Sequence, residues 1–144
     1  MAVPSSDSWA MIGIDTNLLV RLVVNDGERQ SLAVERFIQE HSSSEDPCYI
    51  SNIVLIEMVW VLESAYGFDR NSVADVLDRL LEVEQFDFDS PDEVAAAVDD
   101  FRYRGVEFAD CLLGRTNIFA GCEHTITFDR KAAKLPGFKL LPGA

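Results

Sequence analysis

Short apolar segments alternate with helix-patterned stretches along almost all of this 144-residue chain, and that alternation limits the fold more than any other feature. "MIGI" (11–14), "CYI" (48–50), "FDF" (86–88), "TITF" (125–128) and "FKLL" (138–141) read as strands. Between them lie "NLLVRLVVN", "ERQSLAVERFIQEHSS", "NIVLIEMVWVLESAY", "NSVADVLDRLLEV", "SPDEVAAAVDDFRYR", "EFADCLLGRTNIFAG" and the shorter "DRKAAKL", all read as helices. Strands that take turns with helices favour an α/β sandwich with a mostly parallel central sheet.

Local signals place several helix ends. Ser51 stands where an N-cap belongs, and Gly67 closes the helix that follows. Ser90, Pro91 and Glu93 form a start signal with a capping box, and Gly105 ends that helix. Gly121 stops the next one. In the second helix, apolar residues at 32, 33, 34, 37 and 38 make a stripe expected to face the core.

One domain, 11–144, is the expectation at this length, with residues 1–10 ("MAVPSSDSWA") as a short flexible leader. That opening lacks the charged and apolar regions of a signal peptide, and no apolar run is long enough to span a membrane. A soluble cytoplasmic protein is expected. Cys48, Cys111 and Cys122 match no zinc spacing and read as small buried apolar side chains. A catalytic cysteine needs a base such as histidine, and only the Cys122–His124 pair comes near that pattern.

The charge is the first functional clue. Twelve Lys and Arg against 25 Asp and Glu leave a net charge of −13. Such a surface repels polyanions at long range and suits a protein that gathers cations or a basic partner. It equally fits a plain solvated surface.

Four acids stand where a core or a site is expected. Ligands of open α/β sheets lie beyond the carboxyl ends of the strands. Asp15 follows "MIGI" directly, and Asp129 follows "TITF". Each is either a helix cap or a ligand. Glu57 has Ile53, Val54, Trp60 and Val61 as its helical neighbours, so its carboxylate is expected on a core-facing stripe. A carboxyl group there needs a cation, a dense set of donors or protonation, unless it is a core Glu paired with Arg21 or another base. Asp110 opens the helix in "GVEFADCLL", with Glu107 one turn earlier. The helix dipole favours acids there, and two such acids repel each other unless a cation lies between them. Oxygen-only donors suit Mg²⁺ or Mn²⁺, which activate water for attack on a phosphodiester and draw a phosphate backbone towards an acidic protein.

With these residues in place, the chain resembles the PIN-domain ribonucleases, and most of all the VapC toxins of bacterial toxin–antitoxin pairs. The resemblance rests on "IGIDTNLLVRLVVND", "ISNIVLIEMVWVLE", "EFADCLLG" and "GCEHTITFDRKAAKLPGFKLL", in that order. It implies a small Rossmann-like, PIN-like α/β/α sandwich. It implies metal-dependent endonucleolytic cleavage of RNA, with Asp15, Glu57, Asp110 and Asp129 as catalytic residues and ligands of Mg²⁺ or Mn²⁺. Thr16, Asn17 and Thr127 would position an acid or a water, and Glu107 would act as ligand or support. A cognate antitoxin and a homodimer are the implied protein partners, with no membrane. "DCLLG" departs from the small-residue run often seen after the third acid, which bears on helix packing.

Other readings fit less well. A phosphatase with an aspartyl nucleophile needs a second Asp two residues on, where this chain has Asn17. A receiver domain wants paired acids at the first strand end and a late Lys, but Asp15 stands alone there and Arg130 follows Asp129. A non-catalytic PIN-like RNA- or protein-binding module would be expected to have lost one of the four acids. Arg21, Arg115, Arg130, Lys131 and Lys134 are either phosphate contacts or plain surface charges.

Overall fold

A computed structural model describes residues 11–25, 27–43 and 45–143. The leader expected at 1–10 lies outside them. The chain divides into two compact units, one running to Gly67 and resuming over Arg79–Asp89, the other formed by Phe68–Asp78 and the chain from Ser90.

The first unit holds β1 (Ile12–Gly13), α1 (Thr16–Val24), α2 (Arg29–His41), β2 (Cys48–Ile50), α3 (Asn52–Ser64) and β3 (Phe86–Phe88). The strands form a parallel sheet in the order β1-β2-β3. Ile12 pairs with Cys48, and Cys48 with Phe86. The first strand is shorter than the apolar run "MIGI", although Ile14 N still donates to Tyr49 O at 2.9 Å. Ile14, Cys48, Ile50, Phe86 and Phe88 are buried, while Asp87 between the two phenylalanines is exposed, so the burial alternates along the strand. Helix α1 packs against α2 and α3.

The second unit holds α4 (Arg70–Leu81, whose last residues from Arg79 belong to the first unit), α5 (Pro91–Arg104), α6 (Phe108–Phe119), β4 (Thr125–Thr127) and β5 (Phe138–Leu140). Strands β4 and β5 pair in parallel, Thr125 with Phe138 and Thr127 with Leu140. Helices α5 and α6 pack side by side, with Phe101 and Phe108 edge to face at 5.9 Å. The Arg70 guanidinium lies 4.4 Å above the Phe101 ring and donates to Phe101 O and Val106 O, both at 2.8 Å. One cation thus secures the end of α5 and the loop into α6. Gly114 faces β5, where a Cβ would collide with the Phe138 ring, so the residue closing "DCLLG" is what lets strand and helix approach.

Several expectations are corrected. Leu32 and Ala33 of α2 are exposed, and Ser31 is buried with Ile38, two turns away on the same face. Three consecutive apolar residues point in nearly all directions around a helix, so the run did not single out a buried side. "DRKAAKL" forms only a 3₁₀ turn, Ala132–Lys134. Leu135, extended at φ −75° and ψ 151°, precedes Pro136, whose ring disfavours helical geometry in the residue before it. Ser90 occupies the N-cap of α5, but its side chain makes no cap hydrogen bond; Pro91 starts the helix. Ser51 does cap α3, accepting from Val54 N at 3.3 Å, and Gly105 closes α5 at φ 68°. Cys48 and Cys111 are buried, as expected, whereas Cys122 is exposed.

Candidate functional site

In the first unit, Asp15 follows the strand edge and is exposed. Its Oδ1 accepts from Leu18 N at 3.0 Å, capping α1. Oδ1 serves the helix, and the side chain as a whole is exposed. Cap and ligand are therefore compatible roles for one side chain. Thr16 opens α1 and is half-buried. Asn17 is exposed and lines a groove of this unit with Arg21, Gln30, Val34, Val61 and Tyr66.

Glu57 is not where its neighbours placed it. It is exposed, and so are Ile53 (67%) and Trp60 (69%) on the same face of α3. The buried face carries Leu55, Met58, Val59 and Leu62 instead. A helix apolar nearly all round gives periodicity no side to choose. Burial therefore places no demand for a counter-charge on Glu57. Arg21, the base suggested for it, pairs with Glu28 at 3.1 Å.

In the second unit, three of the expected acids interact. Glu107 is the exposed N-cap residue of α6, and Asp110 stands in the first turn, half-buried. Asp129 follows β4 and is exposed. Burial is the main cause that raises the Asp110 pKa above its ordinary value, followed by the negative charges of Asp129 and Glu107. Asp129 Oδ1 accepts from Lys131 N at 2.8 Å and from Ala132 N at 3.3 Å, which holds the turn after β4. Thr127 Oγ1 accepts from Asp129 N at 3.0 Å. Thr127 thus contacts the backbone that carries the Asp129 carboxylate.

The donor chemistry fits a hard divalent cation: all oxygens, like-charged, partly desolvated, with no base among them. Within neither unit do three His, Cys, Asp or Glu groups gather as a set able to hold a metal ion, among the described residues.

The bases are sorted by their partners. Arg115 donates from Nε to Asp100 Oδ2 at 2.6 Å and from Nη2 to Asp100 Oδ1 at 2.9 Å, so its guanidinium is committed to the fold. Arg130, Lys131 and Lys134 are exposed and form no ion pair among the described residues. Asp100, a buried acid, was missed by sequence reasoning; the only local signal was Arg104 four residues on, which also contacts it.

A PIN domain model matches residues 12–137. The chain is also similar to a protein named VapC ribonuclease from Aquifex aeolicus (strain VF5), 27% identical over 126 residues, covering 88% of this chain and 92% of that protein. No helix among the described residues is long and apolar enough to cross a membrane.

Proposed function

Because the chain belongs to the PIN domain family, we propose that it is a metal-dependent endoribonuclease and the toxin of a toxin–antitoxin pair. The observation that carries this is the family match over 12–137, which runs through all four acids and both units, together with similarity to a named ribonuclease over most of both chains. Residues 11–144 would then work as one domain. Asp15, Glu57, Asp110 and Asp129 would hold Mg²⁺ or Mn²⁺. The chemistry such an ion supplies when bound is acidification of water and positive charge beside the leaving oxygen.

The chain's own part is orientation. Asp15 Oδ1 accepts from the first turn of α1 and Asp129 Oδ1 from the turn after β4, which restrains both carboxylates. Thr127 locks the turn beneath Asp129. Asp110 lies under the negative field of Asp129 and Glu107, which a cation would relieve. Glu57 enters by its place in the motif alone, with Thr16, Asn17 and Glu107 as supporting groups.

RNA cleavage by the purified protein with Mg²⁺, with EDTA, and in the Asp15→Asn variant tests the reading. Cleavage that persists without metal, or full activity in the variant, would sink it. The exposure of Glu57, on which burial places no demand for a cation, favours a second reading, a non-catalytic RNA- or protein-binding module. Titration calorimetry separates the two, since no uptake of Mn²⁺ at millimolar concentration supports the module. An antitoxin as protein partner, a cytoplasmic location and a homodimer complete the proposal. The exposed Ile53 and Trp60 give a dimer apolar surface to cover, and light scattering reads its mass.

A further inference from the structure

Phe128 stands between Thr127 and Asp129 with 76% of its surface in solvent. The fold gains almost nothing from that ring. The backbone that carries it is nevertheless fixed on both sides, by the Thr127–Asp129 hydrogen bond and by the Asp129–Lys131 cap. Leu141 N donates to Thr127 O at 2.9 Å, tying the same point to the neighbouring strand. Ile126, two residues earlier in β4, is half-exposed as well. Ile126 pairs with Lys139 across the β4–β5 ladder. A held, exposed aromatic ring thus has a cation across the strands and two more, Arg130 and Lys131, in the turn after it.

The charge of this segment is opposite to that of the chain. From Gly121 onward there are four bases (Arg130, Lys131, Lys134, Lys139) and two acids (Glu123, Asp129), a net of +2, while the rest carries eight bases and 23 acids, a net of −15. All three lysines of the protein fall here. None of the four bases forms an ion pair among the described residues, whereas four of the eight bases elsewhere do, Arg21, Arg102, Arg104 and Arg115. Unpaired cations around one exposed ring, beside a candidate catalytic acid, match a single-stranded nucleic acid: phosphates take the cations, and a base takes the ring.

We propose that Phe128 is the stacking platform for one unpaired base of the RNA substrate, with the adjoining phosphates on Lys139, Lys131 and Arg130. This rests on the ribonuclease reading above and adds the residue that seats the strand. RNA is favoured over a protein partner because Lys139 interrupts the apolar face opposite Ile126, which suits a polyanion better than an apolar peptide.

Binding is measured in EDTA by fluorescence anisotropy, using a labelled short single-stranded RNA and the Asp15→Asn protein as parent. Adding Phe128→Ala should weaken binding about tenfold, in the range of one lost base–aromatic stack. Phe128→Trp should restore it, and its added indole fluorescence should be quenched by RNA. Circular dichroism should show all variants folded, since the ring is exposed. Unchanged affinity in Phe128→Ala overturns the inference while leaving the ribonuclease reading intact. Rescue by Phe128→Leu equal to that by Phe128→Trp also overturns it, because an aliphatic contact is not stacking. Unchanged RNA affinity combined with lost binding of the protein encoded by the adjacent reading frame assigns the face to a protein partner and overturns it too. If the wild type cleaves no RNA and the parent binds none, the ribonuclease reading falls and this inference with it.

Discussion

Arg115 holds Asp100 by two parallel hydrogen bonds, at 2.6 and 2.9 Å, and Asp100 is only 4% exposed. The geometry is the bidentate fork of guanidinium and carboxylate, and it joins α6 to α5. Arg104 adds a third contact at 3.3 Å. Removing one partner of a buried pair leaves an uncompensated charge. Asp100→Ala is therefore expected to lower unfolding stability by about 1–3 kcal/mol, since the Arg115 left behind is partly solvated, measured by urea denaturation. Arg115→Lys keeps the charge but loses the fork, so it should cost less. Equal stability of Asp100→Ala and wild type would show the pair to be ornamental.

Asp15 combines a cap with a proposed ligand, and two substitutions part the roles. Asn caps helices as well as Asp does, so Asp15→Asn should melt within a degree or two of wild type, roughly the effect of a few tenths of a kcal/mol. RNA cleavage should nevertheless fall at least ~100-fold, since a charged donor to the cation is gone. Asp15→Ala should lose activity and also about 1 kcal/mol of stability. If Asp15→Asn keeps its activity, the carboxylate is only a cap.

Asp110 lies under the negative field of Asp129 and Glu107. In metal-free buffer, Asp110→Asn is expected to melt at the same temperature as wild type or higher, because repulsion falls. Added Mg²⁺ should raise the melting temperature of wild type more than that of the variant. A variant that unfolds would mean the acid is structural.

Asp69 gives a pH dependence with a definite sign. Its Oδ1 accepts from Ser72 N at 2.8 Å at the start of α4, and that hydrogen bond holds its pKa below the ordinary carboxyl value of 3.8. A depressed folded value stabilises the protein above the unfolded pKa, and the benefit fades as pH falls through the folded pKa. Asp69→Asn should therefore lose less stability than wild type on acidification below about pH 4. Parallel stability curves for the two proteins would contradict the cap.

The three thiols should react in two classes. Burial, aided by the Asp100 carboxylate, pushes the Cys111 thiol up to about 12, and Cys48 is buried as well. Cys122 is exposed. The thiolate is the reactive form, so a disulfide reagent at pH 8 should label one cysteine quickly and two only on unfolding. Mass spectrometry should find the fast label on Cys122, and rapid labelling of Cys111 would show that α6 opens readily.

The alternation of strand and helix, the caps at Asp15 and Ser51, and the left-handed close at Gly105 were all legible in the sequence. These depend on interactions within a few residues, so their cause lies beside them in the chain. The site was legible only by motif. The interaction of Asp110 with Asp129 joins residues far apart in sequence, and no local rule predicts its strength.

Tertiary structure alone decided which side of each helix is covered and which acid each cation serves. Helix α3 is apolar on nearly every side, so only packing could turn Glu57, Ile53 and Trp60 outward. Arg115 was a free cation in the sequence and became half of a buried pair once α5 lay beside α6. Phe128 reads as the last residue of the strand "TITF" and stands in solvent after β4 ends at Thr127. Sequence determines the local bonds because their partners are adjacent; burial and pairing arise from surfaces that meet only after folding.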